Sequence, residues 1–311
     1  MQNQSRWQEA MNYETLALLF RGEAAVRPLW HALGEKTDRT QPLPRDMGLY
    51  CSVLGYDEHE ILEAYYQVRA TFETMGEDEI ILGSDDADWP DSLRGMHDAP
   101  PYLYLKGNVS LLSREGIAVI GTRSPSSTGK SDASALATAL GKAGYVVTSG
   151  LALGIDGVAH LAALGAGYPT MAVIGTPLGT TYPPEHVQMQ KDIARAGLVV
   201  SRFAPSRAVQ KWFFLVRNRL MSALSLGSVV VEDRDGGGAV RQAGFALEQG
   251  RRLFILKHVH ENRAYMWPRQ FAAKDGVTII DSPSAIIKAL RGEEKKPAKK
   301  TPPASVQLEL F

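Results

Sequence analysis

Thiols are almost absent from this chain, and neither sign of charge is in surplus. Cys51 stands alone among 311 residues, which excludes an intrachain disulfide and a zinc centre of several cysteines and agrees with a reducing, cytoplasmic setting. Its expected place is that of a small core residue. Lys plus Arg and Asp plus Glu number 34 each. A chain so balanced offers no global attraction to nucleic acid and must gather its cations locally to bind it. No apolar run approaches the ~20 residues of a membrane-spanning helix. The opening Met1-Gln-Asn-Gln-Ser-Arg-Trp7 has no apolar signal segment, so a soluble protein without membrane association is expected.

Hydrophobic periodicity divides what is there into three parts. Over residues 1–82, segments such as Tyr13-Glu-Thr-Leu-Ala-Leu-Leu-Phe20 and Ile61–Phe72 repeat their apolar positions at helical spacing and predict a small helical N-terminal domain. Its expected role is to pack on the neighbouring sheet or to support an oligomer. From about 113 to 257, short β-branched runs (Ile117–Ile120, Tyr145–Thr148, Met171–Ile174, Leu198–Val200, Val229–Val231, Leu253–Leu256) alternate with helical segments. Those segments are Lys130–Ala143, Ala159–Ala166, Val187–Ala196, Trp212–Leu224 and Val240–Glu248. Strand and helix in that alternation predict an α/β fold, a doubly wound, Rossmann-like parallel sheet. Residues 83–290 are read as one domain with a lead-in segment and a final helix near Ser284–Leu290. Residues 291–311 begin as a Lys/Pro-rich tether with little to bury and end in the abruptly apolar Val306-Gln-Leu-Glu-Leu-Phe311.

Two turns concentrate the chemistry. Gly116-Ile-Ala-Val-Ile-Gly-Thr-Arg123 is a strand breaking into a turn, and Ser149-Gly-Leu-Ala-Leu-Gly-Ile-Asp-Gly-Val-Ala-His160 is another. In a parallel sheet such turns meet at the carboxyl edge, where helix N-termini gather and anions bind. Arg123 offers a planar fork of donors for phosphate. Gly121 lets a phosphodiester approach the backbone, while Thr122, Ser124 and Lys130 add donors and a point charge. Ser149, Gly150 and Gly154 are candidate contacts in the second turn, and Asp156 and His160 are read first as pocket-shaping residues, with Asp156 capping the helix that carries His160. The segment Lys211-Trp-Phe-Phe-Leu-Val-Arg-Asn-Arg219 joins three aromatics to three cations, the pairing that serves single-strand recognition. Some of its face must nonetheless be core.

Gly121-Thr-Arg123, Ser149-Gly-Leu-Ala, Gly154-Ile-Asp156 and His160 are followed in order by Tyr182-Pro-Pro-Glu185, Arg217-Asn-Arg219 and Val229-Val-Val-Glu232. Together with the upstream Asp88-Trp-Pro-Asp-Ser-Leu93 and Pro100–Asn108, this set resembles the DprA/Smf family of DNA-processing proteins over roughly residues 84–290. The resemblance implies a recombination mediator that binds single-stranded DNA, protects it and assists loading of the recombinase RecA, without catalysis and without a cofactor or metal. It places Arg217, Asn218 and Arg219 near the DNA pocket, with Tyr182 and Glu232 shaping it, and implies a homodimer formed through the α/β domain. Many relatives end in a winged-helix module, for which the residues after 290 leave no room. Instead, Gln307, Leu308, Leu310 and Phe311 resemble the short motif that docks into the sliding clamp of the replicative polymerase; the alternative is a tail folded back on its own domain.

Other chemistries are weaker on the same residues. Ser124-Pro-Ser-Ser-Thr-Gly-Lys-Ser131 ends like a phosphate-binding loop of an ATPase, but serine stands where the tight wrap needs glycine. A Ser149/Asp156/His160 hydrolase lacks any sign that nucleophile and base can meet. A nucleotide-binding or nucleotide-processing enzyme on the same sheet is the principal alternative, although its usual Pro-Gly-Gly-x-Gly-Thr loop is missing. His258 and His260 lack a third metal ligand. Within the family pattern, Arg202 replaces an acid, and Asp233-Arg-Asp-Gly-Gly-Gly-Ala239 replaces a hydroxyl-rich loop, which predicts a more flexible segment there.

Overall fold

A computed structural model describes residues 2–20 and 22–292; the tail with Gln307, Leu308, Leu310 and Phe311 lies outside the described residues. Nine strands form one sheet: β1 (Glu79–Gly83), β2 (Tyr102–Gly107), β3 (Gly116–Ile120), β4 (Val146–Ser149), β5 (Thr170–Ile174), β6 (Leu198–Ser201), β7 (Gly227–Val230), β8 (Arg252–Leu256) and β9 (Val277–Ile280). Their spatial order is β1-β2-β6-β5-β4-β3-β7-β8-β9. Pairing is parallel from β6 across to β9, and antiparallel where β2 meets β6 and β1 meets β2. From β3 the chain winds outward through β4, β5 and β6, then returns to start again at β7 on the other side. The topological switch point, where crevices open in such sheets, therefore lies between β3 and β7.

Four helices precede the sheet: α1 (Gln2–Leu19), α2 (Glu23–Gly34), α3 (Met47–Leu54) and α4 (Glu58–Phe72). The crossover and closing helices are α5 (Ser127–Lys142), α6 (Ile155–Gly165), α7 (Val187–Ala196), α8 (Phe213–Ala223), α9 (Gly238–Glu248), α10 (Lys257–Glu261), α11 (Trp267–Ala272) and α12 (Pro283–Leu290). The six strands and six helices expected from periodicity are all present within a few residues. Strands β1, β2 and β9 are additions, and β1 straddles residue 82. Strand β2 shows why it was hidden in the lead-in: alternate residues enter different cores. Leu103 and Leu105 join the core shared with β3, β7 and β8, while Tyr102 and Tyr104 join that of the N-terminal helices. Buried on both faces, the strand lacks the apolar-polar alternation that marks a half-exposed one.

The N-terminal helices thus pack on one face of the sheet. Tyr13 of α1 meets Tyr102 edge-on at 5.6 Å, and Phe72 of α4 meets Tyr104 at 6.3 Å. Helix α4 starts from a reciprocal capping box between Asp57 and Glu60, which satisfies amides that the first turn leaves free. Cys51 is half-buried against this core. A polar clamp supplements the aromatic packing. Glu14 is buried and accepts hydrogen bonds from Ser206 Oγ at 3.2 Å and Arg207 Nη2 at 3.1 Å, with a second, shorter bond from Arg207 Nε. Burial pushes the Glu14 carboxyl up from its ordinary range, against the pull of Arg207. Arg207→Ala strands this carboxylate without a counter-ion and is expected to cost about 3 kcal/mol near neutral pH. The loss should shrink in acid, where Glu14 takes up a proton. Urea unfolding at two pH values checks this, and an unchanged midpoint would remove the clamp from the account.

Candidate nucleic-acid interface

The turns after β3, β4 and β7 are stitched together through their backbones. Thr122 N donates to Glu232 O at 2.6 Å, and Ile155 N donates to Thr122 O at 3.2 Å. Gly154, at φ +80°, sits where a Cβ would lie 2.7 Å from the carbonyl carbon of Arg123. Glycine is required there by both conformation and space. A Cβ on Gly121 would likewise lie 2.7 Å from Glu232 O. Against this stitching a cleft of about 730 Å³ opens at the switch point, bordered by the turn 120–124, by Lys211, Phe214 and Asn218 of the α8 region, and by the loop 233–242.

Of the predicted contact residues, Arg217 lies in its floor with Asp156, and Ser149 lies beneath, outside its lining. Arg217 is buried and donates through Nη1 to Val173 O at 2.8 Å and to Gly150 O. Burial lowers its pKa to about 10, partly offset by Asp156, so it remains a cation at neutral pH. Asp156 does not cap α6 as its position predicts: it lies inside the first turn, and the helix starts after Gly154 without a side-chain cap. Asp156 Oδ2 instead accepts from Gly150 N at 3.1 Å and Ala152 N at 3.4 Å in the preceding turn, with burial raising its pKa against the counteracting charge of Arg217. Ser149 is buried with its hydroxyl on Val119 O at 2.7 Å. His160 Nδ1 meets Thr170 Oγ1 at 2.8 Å, and that hydroxyl gives its own proton to Val147 O at 2.6 Å. The imidazole therefore carries its proton on Nδ1. Ser149 and His160 spend these groups on separate backbone-linked partners, which leaves no nucleophile-base pair. Arg219 turns away from the cleft altogether, bridging Asp98 at 2.7 Å and Glu248 at 3.0 Å.

The start of α5 is occupied from within. Ser126 caps the helix by accepting from Gly129 N, and its own N–H and hydroxyl donate to Glu232 Oε2 at 3.1 and 2.9 Å. A protein carboxylate thus holds the position where a phosphate-binding loop would cradle its anion, which closes this helix start to a nucleotide. Lys130 is exposed on the same helix but does not line the cleft.

What remains at the mouth is cationic and aromatic. Arg123, Lys211, Arg234 and Arg241 are exposed and line the cleft, and none forms an ion pair with another described residue. The Arg123 guanidinium carbon lies 5.9 Å from the Tyr182 ring centroid, and Tyr182 tilts against Phe214 at 5.1 Å. Ser124 is exposed beside them, and Asn218 Nδ2 reaches Gly238 O at 3.3 Å. Arg234 and Arg241 were passed over in the sequence. Their signal was a glycine-rich turn opening a helix after a central strand.

The loop 233–238 is anchored, contrary to the flexible segment its glycines predict. Buried Asp233 accepts from Ala239 N at 2.9 Å and Val240 N at 3.3 Å, capping α9, while Asp235 accepts from Trp267 N at 2.7 Å. Arg202 faces the N-terminal helices, pairing with Glu23 at 3.2 Å, so the acid-to-base exchange is absorbed by α2. His258 Nε2 lies 3.3 Å from Asp132 Oδ2. Among the described residues no group of three or more potential ligands is placed to hold a metal.

Residues 80–291 match the family model described as DNA recombination-mediator protein A. The DNA processing protein DprA of Bacillus subtilis is 35% identical over 200 residues, covering 63% of this chain and 67% of its own length. Protein Smf of Escherichia coli is 33% identical over 212 residues, covering 68% and 56%. The Streptococcus pneumoniae DprA protein is 37% identical over 168 residues, 54% of this chain and 59% of that one. The aligned part spans between 45 and 67% of the first curated relatives' lengths. Among solved structures, S. pneumoniae DprA superposes with a TM-score of 0.68 at 29% identity over 82% of this chain and 89% of that one. DNA processing protein A from Helicobacter pylori, described for its single-stranded DNA binding mode, gives 0.61 at 28% over 70% and 97%.

Two outcomes follow from the floor. Arg217→Ala removes the guanidinium donor from two carbonyls and the counter-charge from buried Asp156, and should cost about 3 kcal/mol of stability, read by denaturant unfolding; an unchanged unfolding free energy would return Arg217 to the surface role. Burial, with the nearby charges of His186 and Arg217, drops the His160 pKa from 6.5 to about 3. Between those values the unfolded chain binds a proton that the native one does not. Stability should therefore fall with decreasing pH by up to about 1.4 kcal/mol per unit from this residue, and His160→Gln should flatten the pH slope. An identical slope in the variant would contradict the assignment.

Proposed function

Since this chain belongs to the DNA recombination-mediator protein A family, we propose that it is a sequence-tolerant single-stranded DNA-binding protein that protects the strand and assists its transfer to RecA, acting by binding without bond breaking. The observation that carries this reading is the set of four exposed cations, Arg123, Lys211, Arg234 and Arg241, around a cleft whose wall includes Phe214 and whose rim is flanked by Tyr182. Guanidinium and ammonium groups take phosphates, and aromatic faces take bases without regard to sequence. The strand's phosphates lie along Arg123, Ser124 and Arg241, with its bases directed toward Tyr182 and Phe214. A flexible strand can bend into such a recess, whereas a stiff duplex meets only its rim. The single-stranded DNA binding for which the H. pylori relative is described supports the same assignment.

On this reading residues 1–82 form a helical module, residues 83–290 the DNA-binding domain and residues 291–311 a tether. The protein acts in the cytoplasm as a homodimer, and Gln307, Leu308, Leu310 and Phe311 reach the sliding clamp. Family membership and sequence resemblance support these partners.

Arg123→Ala should weaken single-strand binding by about 1.5–3 kcal/mol, roughly 10- to 150-fold, while Arg219→Ala, on the far side of α8, should change it by less than about twofold. Fluorescence anisotropy with a labelled single strand, competed by duplex, reads both. Equal affinity of the Arg123 variant and the unaltered chain, or equal competition by duplex, would overturn the proposal.

A further inference from the structure

Trp212 is large, apolar and 58% exposed, and the fold gives no reason for that exposure. It is also firmly held. Its ring stands edge-on to Phe213, with centroids 4.6 Å apart at 81°, and to Phe203 at 6.5 Å and 78°. Phe203 and Phe213 are buried and stacked face to face at 3.8 Å and 3°. The segment leading to it is fixed on its other side: Arg202 pairs with Glu23 at 3.2 Å, and Ser206 and Arg207 bond to buried Glu14. An indole presented to water on a pre-ordered aromatic base loses little conformational entropy when a flat partner lands on it.

Its position supplies the partner. Lys211, the preceding residue, and Phe214, two residues on, both line the cationic cleft, whereas Trp212 lies just outside it. A strand leaving the cleft past Lys211 has its phosphate neutralised there and its next base free. We propose that Trp212 is a stacking platform for a nucleobase of single-stranded nucleic acid immediately outside the cleft, extending the bound strand beyond the four cations. This rests on the cleft being the phosphate site. The two contributions differ in kind, because the Trp212 platform acts through a base alone, whereas the four cations act through the backbone.

The test compares the unaltered full chain with Trp212→Ala, Trp212→Phe and Arg123→Ala, using an oligothymidylate and a base-free deoxyribose-phosphate strand of equal length, with sedimentation of each variant. Trp212→Ala should bind oligothymidylate about tenfold more weakly, bind the base-free strand like the unaltered chain, and keep its salt dependence; Trp212→Phe should recover most of the loss. Arg123→Ala should weaken binding to both strands. Unchanged oligothymidylate affinity in Trp212→Ala, or an equal loss on the base-free strand, overturns the platform while leaving the cleft reading intact. A shift to a smaller species with DNA affinity unchanged also overturns it and makes Trp212 a contact between copies. Absence of binding to either strand by the unaltered chain overturns both readings together.

Discussion

From the middle of α8, the buried guanidinium of Arg217 donates to carbonyl oxygens of Gly150 and Val173, at the ends of β4 and β5, and so fixes the helix that forms one wall of the cleft to the sheet beneath it. A cation in that position is costly unless its charge is answered. Asp156 answers it from the same turn, while spending its own oxygen on the amides of Gly150 and Ala152. This arrangement holds the turn after β4 from below, while the bond from Ile155 N to Thr122 O holds it against the turn after β3, and the two together shape the mouth of the cleft.

The same economy explains how a chain of zero net charge presents a cationic recess. The acids nearest the cleft are committed to backbone groups: Asp156 to the β4 turn, Asp233 to the start of α9, and Glu232 to the start of α5. Each satisfies orphan amides at a turn or helix start. They stabilise the rim from below while Arg123, Lys211, Arg234 and Arg241 stay exposed above. Local separation of the two signs, and not composition, creates the field.

The α/β core was legible because the central strands are short apolar, largely β-branched runs, those of β3, β4 and β5 closed directly by a glycine, and because the helices between have room to cross over. Strands β1 and β2 were not, since Tyr102 and Tyr104 read as generic apolar residues until the helices that cover them are known. Within α8 the difficulty was rotational. Arg217 and Arg219 look equivalent in sequence, yet one points into the floor and the other toward Asp98 and Glu248. Phase on a helix with aromatics and cations on every side is decided by tertiary packing, here the seating of Phe213 against Phe203. Arg202 shows the same limit: its partner, Glu23, is 179 residues away in sequence.

The central claim is that the four exposed cations act together on a phosphate backbone. Measuring single-strand affinity of the unaltered chain across a series of salt concentrations tests it most directly. Four phosphate contacts on a single strand predict that log K falls against log salt with a slope of about −3. A slope near zero, with binding retained, would contradict the account.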